Sequence, residues 1–502
     1  MRLLLVLNIA ANFGLAFRGG RYFRRIAAYR KGMASSSSTT PSPQLDKSQF
    51  EATLSLVALK IPAKLCTQYM STLREHLFQR PRMKRVFDVP DCPTDRLLLL
   101  GESVDMGLSV LSPEQRQFVK DNCLGEPEAF SLKLGYEHLS ADEVLRKILP
   151  ADSEIPSSFE QAGHIAHLNL REEMLPYKQL IGRVILDKNP TLRTVVNKMG
   201  NIENEFRTFP MEVLAGEDNL VVTVRESGAR FTFNFRNVYW NSRLQTEHAR
   251  LIELIIATAK KRRSATDPSP AAGRLVVADM MAGVGPFAVP LAMTSEASVT
   301  VYANDLNPES YSSLTTNART NHCSPSRLVA SNADARAFVI ALAARGERFH
   351  EAIMNLPANA TDFLDVFIGL ERRYAAAAAA NPASSSSPSP SPSLSQQPRI
   401  HVYGFSSAAD VIADMVERAA ASLRCPVSSL GPAVSENATM MATTDVDNVA
   451  CWGHVVRDVS PKKMMVCLSF RLPVEVARAE PLDFSADVGT GEDSAVKKRK
   501  LE

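Results

Sequence analysis

Four short stretches of the sequence carry residues able to hold a nucleotide-like ligand, each where a strand would end. "VVADMMAGVGPF" holds Gly283 and Gly285, "VYANDLNP" holds Asp305, "SNADARAF" holds Asp334, and "HEAIMNLPANA" holds Asn355-Leu356-Pro357. Glycines let a backbone approach a ligand closely. The Asp305 carboxylate suits ribose hydroxyls, and Asp334 suits an adenine amino group. Gly283-Val-Gly-Pro-Phe-Ala288 also fits the dinucleotide pattern G-x-G-x-x-A. A dinucleotide, however, needs free N–H groups at the helix start to hold its pyrophosphate, and Pro286 has none to give. Pro290, one turn further on, makes the helix short or kinked. Asp305 alone marks a ribose without naming the cofactor. The fourth stretch decides, because a proline-stiffened Asn-x-Pro turn at a strand end suits transfer to a planar ring or exocyclic nitrogen. The ordered set reads as a site for S-adenosyl-L-methionine.

These residues need a sheet whose strands all end on one rim. From residue 237 onward the sequence alternates βα, with strand candidates at 275–280, 299–304, 327–332, 350–355, 400–405 and 464–471. That predicts an α/β fold with a doubly wound, mostly parallel Rossmann-type sheet over 237–475. Ahead of it, 159–236 reads as a middle α+β domain, its last two strands joined by Ser227 and Gly228. Residues 46–150 read as a small N-terminal domain. There "LREHLFQRPRMKRVF" is predicted helical up to Pro81, and Ser140 with Glu143 has capping-box spacing. The Ala/Ser/Pro tract at 374–398 is predicted to loop out, and 476–502 to be a disordered tail with a basic end.

Just before the first nucleotide strand, "NVYWNSRLQTEHARL" places Tyr239, Arg243 and Glu247 four residues apart, with His248 following. On a helix that spacing puts three polar groups on one face. An ordinary surface Arg–Glu pair has the same spacing.

The bulk numbers are those of a folded multidomain protein: 502 residues, 45% hydrophobic, 22% charged and net +3. Seven scattered cysteines without a C-x-x-C suggest free thiols, neither a disulfide framework nor a zinc site. His164 and His167 form an H-x-x-H with no third ligand nearby in sequence, so no metal is expected. Residues 1–45 contain no Asp or Glu but carry Arg2, Arg18, Arg21, Arg24, Arg25, Arg30 and Lys31. Their charge follows the apolar run instead of preceding it, which favours a mitochondrial leader over a secretory signal. The apolar run is too short and interrupted to span a bilayer, and no membrane partner is expected. A start at Met33 would remove most of the leader, and "VKKRK" at 496–500 resembles a nuclear import signal. The expected location is therefore the mitochondrial matrix, with a further cytoplasmic or nuclear pool.

From about His164 to Leu370, and again in the last strands, the chain resembles the eukaryotic–archaeal tRNA (guanine-37-N1)-methyltransferase family. "HLNLREE", "GNIENEFRTFPMEVLAG", "VYWNSRLQTEHARL", "DMMAGVGPF", "ANDLNPES" and "NLPANA" match it in order. The resemblance implies a class I methyltransferase domain that methylates N1 of guanosine 37 in a tRNA anticodon loop. It makes Glu247 the general base for the N1 proton and Arg207 the cation that stabilises charge growing on the guanine carbonyl oxygen. Arg243, Tyr239 and the Asn355–Pro357 turn match residues that orient the guanine. His248, Asp305, Leu306, Asp334, Ala335 and Asn355 match donor-binding positions, and Gly283 and Gly285 the glycine turn. Transfer is an in-line displacement needing neither metal nor covalent intermediate, so positioning supplies most of the catalysis. The base must be unstacked to react. The resemblance also implies that residues 46–150 are the family's N-terminal, tRNA-binding domain; basic residues in 74–85, Lys178, Arg183 and Lys260–Arg263 are candidates for phosphate contacts, and a monomer is expected.

Three other readings compete. A wybutosine-pathway aminocarboxypropyl transferase shares the donor but differs from Asn-Leu-Pro at the fourth turn. A tRNA-binding homologue without catalysis would have no need of Arg207, Glu247 and Asn355 together. A dinucleotide oxidoreductase is disfavoured by Pro286.

Overall fold

The computed structural model describes residues 45–151, 153–156, 158–200, 206, 208–265, 274–380, 396–435 and 450–484. They form two compact units, the first comprising the residues up to Ser153 together with Gln179–Ile181. Strands β1 (Ala52–Pro62), β2 (Val86–Val89), β3 (Cys92–Leu99) and β4 (Glu128–Leu134) of this unit make an antiparallel sheet in the order β2-β3-β1-β4. Its helices are α1 (Cys66–Thr72), α2 (Pro113–Asn122) and α3 (Ala141–Ile148). α3 opens with a capping box: Glu143 N–H donates to Ser140 Oγ at 3.2 Å and Ser140 N–H to the Glu143 carboxylate at 2.7 Å. The helix predicted up to Pro81 does not form. α1 stops at Thr72, a single 3₁₀ turn follows, and Leu77 bridges to Leu100. Leu77 and Phe78 are both buried but in different cores, a division that extended backbone provides and a helix would not.

In the second unit, β5 (Glu160–Ala162), β6 (Ile165–Leu168), β7 (Thr194–Lys198) and β8 (Met211–Gly216) form a four-stranded sheet, and in sequence α4 (Lys178–Lys188), which belongs to this unit apart from Gln179–Ile181, joins β6 to its parallel neighbour β7. β9 (Val221–Glu226) and β10 (Ala229–Asn234) form a hairpin over Ser227 and Gly228, at φ +48° and +76°. Positive φ at both turn residues matches the twist of the paired strands. Next come α5 (Gln245–Ala265), β11 (Leu275–Asp279), α6 (Ala288–Met293), β12 (Val299–Asn304), α7 (Pro308–Thr320), β13 (Leu328–Ser331), α8 (Ala335–Ala344) and β14 (Glu351–Met354). The unit closes with α9 (Leu370–Ala380), β15 (Arg399–Ser406), α10 (Val411–Ser422), β16 (Ala433–Ser435), β17 (Cys451–Ser460), β18 (Lys463–Arg471) and α11 (Val474–Arg478).

β11 to β18 build one eight-stranded sheet, ordered β13-β12-β11-β14-β15-β18-β17-β16. It is parallel from β13 to β15 and antiparallel on both sides of β18. Chain order reverses between β11 and β14, the switch point where ligands of such sheets bind. All six predicted strands are present. β16 and β17 are not among the six, because Ala433–Ser435 is too short to show a period and Cys451–Ser460 has no clean alternation. Part of the tract predicted to loop out is helical: Tyr374–Ala380 continues α9, alanine being the best helix former and the buried Tyr374 ring lying under Arg348 at 4.3 Å. Residues 381–395 of that tract lie outside the described residues, as do the leader to residue 44 and residues 485–502 of the predicted tail; the start of that tail is structured instead, Val476–Arg478 ending α11 and Phe484 lying buried.

The middle strands and the sheet share a core, in which Val196, Phe231 and Phe233 join Leu251, Val277 and Ile353. Two asparagines of α7 complete the join. Asn317 accepts from Thr232 N–H of β10 at 2.8 Å and donates to the Val284 carbonyl at 3.0 Å. Asn321 accepts from Arg230 N–H at 2.8 Å and donates to the Arg230 carbonyl. α7 thus satisfies the free edge of β10 as a neighbouring strand would. No helix among the described residues is long and apolar enough to cross a membrane. Asn317→Ala leaves a strand N–H and the Val284 carbonyl without these partners; it is expected to cost about 2–4 kcal/mol in urea unfolding, against about 1 kcal/mol or less for Thr316→Ala on the same helix.

Candidate active site

β11 delivers the chain into the turn Met280–Phe287, where Gly283 and Gly285 have φ of +55° and +100°. Their needs differ. A Cβ on Gly285 would come within 2.7 Å of Leu314 and 2.8 Å of Val289, whereas one on Gly283 would meet nothing within 4 Å. Gly283 faces open space on the wall of a cleft, and Gly285 is packed from behind. The helix after Pro286 is short, as predicted: α6 has six residues.

At the end of β12 both oxygens of Asp305 accept backbone N–H groups, from Gly283 at 2.8 Å and Asn307 at 2.9 Å. Burial pushes its carboxyl above the usual carboxylate range. Asp279, fully buried beside it, is pushed well above that range by burial and by the Asp305 charge. Asn304 escaped the sequence reading, yet it ties three strand ends together. It donates to the Met280 and Ala333 carbonyls at 3.2 and 2.8 Å and accepts from Ala333 N–H at 3.0 Å. Only its place beside Asp305 at a strand end hinted at this.

Asp334 is the N-cap of α8, accepting from Arg336 and Ala337 N–H at 2.8 and 3.2 Å. With Ala335 and Leu306 it also lines the cleft. After β14, the Asn355–Pro357 turn is anchored away from the cleft. The Pro357 carbonyl accepts Phe405 N–H at 3.0 Å, and the Leu356 carbonyl accepts from Asn359 and Ala360. The Asn355 side chain is left at the corner, its Oδ1 buried without a hydrogen-bond partner among the described residues. His248 of α5 also lines the cleft, its ring edge-on to Phe287 with centroids 4.8 Å apart. Phe206, Tyr239, Trp240 and Phe363 supply flat apolar surface, and the cleft holds about 1030 Å³ of empty space including its open mouth. Such a space admits a ligand the size of S-adenosylmethionine.

The expected face of Tyr239, Arg243 and Glu247 does not exist. α5 begins only at Gln245, and Asn241 caps a 3₁₀ turn that contains Arg243. Trp240, packed 5.0 Å from Phe233, holds the preceding chain outside the helix. Tyr239 lines the cleft. Arg243 lines a neighbouring hollow instead and pairs with Glu160 at 3.1 Å. Glu247 is 5% exposed and is not among the residues lining the cleft. Its carboxylate accepts two 2.7 Å bonds from Arg250 and one of 2.7 Å from Tyr403, with His454 Nε2 3.4 Å away. Arg207 lies outside the described residues, although Phe206 before it lines the cleft.

Several predicted phosphate-binding cations are engaged with side chains: Lys178 with Glu212, Arg183 with Asp187, Lys260 with Glu296 and Arg262 with His350. His164 meets the Asn219 carbonyl at 3.0 Å, and burial pushes His167 below the usual histidine range. Among the described residues no three His, Cys, Asp or Glu side chains cluster as a metal site would require, and the cysteines are free.

A reversed-order parallel sheet with a glycine turn, a ribose-type carboxylate and an Asn-x-Pro corner defines a Rossmann-type S-adenosylmethionine-dependent methyltransferase. Two family models match, the TYW2 N-terminal domain over residues 141–219 and the TRM5/TYW2 methyltransferase domain over 222–376. The chain is 39% identical over 467 residues to a tRNA (guanine(37)-N(1))-methyltransferase of Phytophthora infestans, covering 91% of this chain and 98% of that one. Enzymes of the same name from Danio rerio and Homo sapiens are 38% and 34% identical, over 91% and 86% of this chain and 87% and 76% of theirs. Among solved structures, the complex of aTrm5 and tRNALeu shares the fold at TM-score 0.52 and 20% identity, covering 83% of this chain and 99% of that one. The chain belongs to the tRNA (guanine(37)-N(1))-methyltransferase family.

Two measurements test the cleft. Gly283→Ala is expected to weaken S-adenosylmethionine binding in calorimetry and to cost about 1 kcal/mol of stability through its positive φ, while Gly285→Ala, strained and overpacked, lowers stability by about 2 kcal/mol or more. Donor affinity is expected to fall on acidification through a midpoint above 3.8, because burial raises the Asp305 carboxyl and its protonation removes a ribose acceptor. Asp305→Asn should abolish that pH dependence.

Proposed function

We propose how the residues of this chain divide the work of its family's reaction, transfer of a methyl group from S-adenosylmethionine to N1 of guanosine 37 in tRNA. The chain is a tRNA (guanine(37)-N1)-methyltransferase, and tRNA is its substrate. The observation that carries the assignment of residues is the unpartnered Asn355 Oδ1 at the cleft corner. A buried acceptor without a partner is costly, and the guanine edge, with N1–H and an exocyclic amine, supplies donors for it. Tyr239 and Pro357 flank this corner and confine the flat ring. The bound donor supplies an electrophilic methyl group. Asp305 and Asp334 hold its nucleoside end.

Glu247 takes the N1 proton. Along β14 and β15, Ile353 and Tyr403 face the core under α5, whereas Met354 and Val402 face the opposite one. Alternation puts Asn355 on the α5 face with Tyr403, the residue that hydrogen-bonds Glu247. The carboxylate therefore has the right side of the sheet but the wrong partners. Reaching the base requires it to leave the Arg250 and Tyr403 clasp. Burial keeps Tyr403 protonated, with its pKa well above the usual tyrosine range, so the phenol donates its O–H to the Glu247 carboxylate. Arg207 stabilises the carbonyl oxygen as N1 loses its proton, and Arg243 contacts the guanosine after parting from Glu160.

The chain works as a monomer without a membrane partner, in the mitochondrial matrix with a cytoplasmic or nuclear pool. Support for this location is the arginine-rich, acid-free leader and the basic end. Import of the full chain and of a chain starting at Met33 into isolated mitochondria tests it, the shorter form being expected to stay outside. With labelled donor, transcripts carrying guanosine 37 are expected to be methylated and those carrying adenosine 37 not. Glu247→Gln and Arg207→Ala should each lower kcat by about 10²-fold or more while leaving the Kd for S-adenosylmethionine unchanged.

A further inference from the structure

A second hollow adjoins the cleft. It holds about 1140 Å³ of empty space, its open mouth included, and shares Tyr239 and Trp240 with the cleft. Neither Asn355 nor Pro357 lines it, so it is distinct from the corner that takes the guanine. The middle strands and their flanks build it. Phe159 immediately precedes β5, Lys198 ends β7, Phe209 lies two residues before β8, and Arg243 stands in the 3₁₀ turn before α5.

Two kinds of group line this space. Phe159, Phe209, Tyr239 and Trp240 supply π faces, and Lys198 and Arg243 supply cations. Lys198 Nζ lies 3.9 Å from the centroid of the Phe209 ring. Arg243 meets Glu160 at 3.1 Å, in a pair whose side chains are 54% and 37% exposed. An ion pair so open to water contributes little, so a phosphate can draw the guanidinium from Glu160 with little loss. Cations interleaved with aromatic rings suit a single-stranded nucleic acid, whose bases stack on the rings while its phosphates meet the charges.

The substrate narrows the occupant. tRNA is a continuous strand, so each neighbour of guanosine 37 lies one phosphodiester step away. Drawing guanosine 37 out of the loop deprives those neighbours of a stacking partner. Because cleft and hollow meet at Tyr239 and Trp240, a nucleotide bonded to one seated in the cleft has the hollow beside it.

We propose that the hollow is a second nucleotide subsite: it receives the base of a nucleotide adjoining guanosine 37 on its aromatic wall, while Lys198 and Arg243 hold the phosphodiester. This rests on the guanine occupying the Asn355 corner. A flat base on a phosphodiester is the same chemistry on the 5′ and the 3′ side. Stacking registers the presence of a base and not its identity, since every base has a π face. The subsite thus offsets the stacking lost when guanosine 37 leaves the loop, whatever the loop sequence.

The test uses the full chain, labelled donor and full-length tRNAs assembled by ligation, with guanosine 37 and an abasic ribose at position 36 or at position 38. Removing the base on the side the hollow serves is expected to lower kcat/KM about tenfold, whereas exchanging it for another base changes kcat/KM less than about threefold. The double variant Phe159→Leu/Phe209→Leu keeps apolar bulk and loses two π faces. It is expected to lose about tenfold on intact tRNA and less than about twofold on that abasic tRNA, a coupling that a general structural defect does not produce. Lys198→Ala should reduce the slope of log kcat/KM against log salt by about one. The Kd for S-adenosylmethionine should be unchanged in both variants. No abasic penalty at either position in wild type, or equal losses of the double variant on intact and abasic tRNA, overturns the subsite and leaves the guanine corner standing. Equal methylation of guanosine 37 and adenosine 37 transcripts overturns the guanine corner itself, and the subsite with it.

Discussion

The cleft depends on one carboxylate held by backbone. Asp305 receives N–H groups from the glycine turn and from its own loop, which pins the end of β12 against the turn that follows β11. Without that tie, a turn with two positive-φ glycines would have no fixed shape. Burial raises the pKa of this acid, while the two N–H groups of the tie pull the other way by stabilising its charged form. Asn304, one residue earlier, repeats the arrangement toward β13. The rim is therefore built by side chains that satisfy backbone groups.

On the other side of the sheet switch, the Asn355–Pro357 turn follows a complementary logic. Its carbonyls are spent on β15 and on the following 3₁₀ segment, so the turn cannot shift. Among the described residues, Asn355 Oδ1 has no hydrogen-bond partner at the corner. A rigid backbone presenting one unsatisfied acceptor is a preorganised site, in which positioning can account for much of the rate. Glu247 is arranged differently. Arg250 and Tyr403 occupy its oxygens, which protects a buried anion that would otherwise be costly.

The hairpin β9–β10 binds these parts together. It packs its phenylalanines into the core under α5, takes strand-like hydrogen bonds from α7, and ends in Glu226 against His248. A region that reads in sequence as a separate α+β module is in the fold a wall of the same unit.

The sequence by itself determined what depends on local chemistry. The six strands of the nucleotide fold, the capping box at Ser140, the short helix after Pro286 and the Gly283, Asp305 and Asn355 positions all follow from residue type and neighbouring spacing. What depends on partners far along the chain was illegible. Tyr239, Arg243 and Glu247 keep a helical spacing, but Asn241 and the packing of Trp240 delay the helix, so only the tertiary structure decides where they point. Tyr403, 156 residues from Glu247, and Glu226, 22 from His248, cannot be paired from a linear reading. Burial chooses such pairs, because a charge removed from water takes the nearest compensating group in space, and sequence distance does not enter.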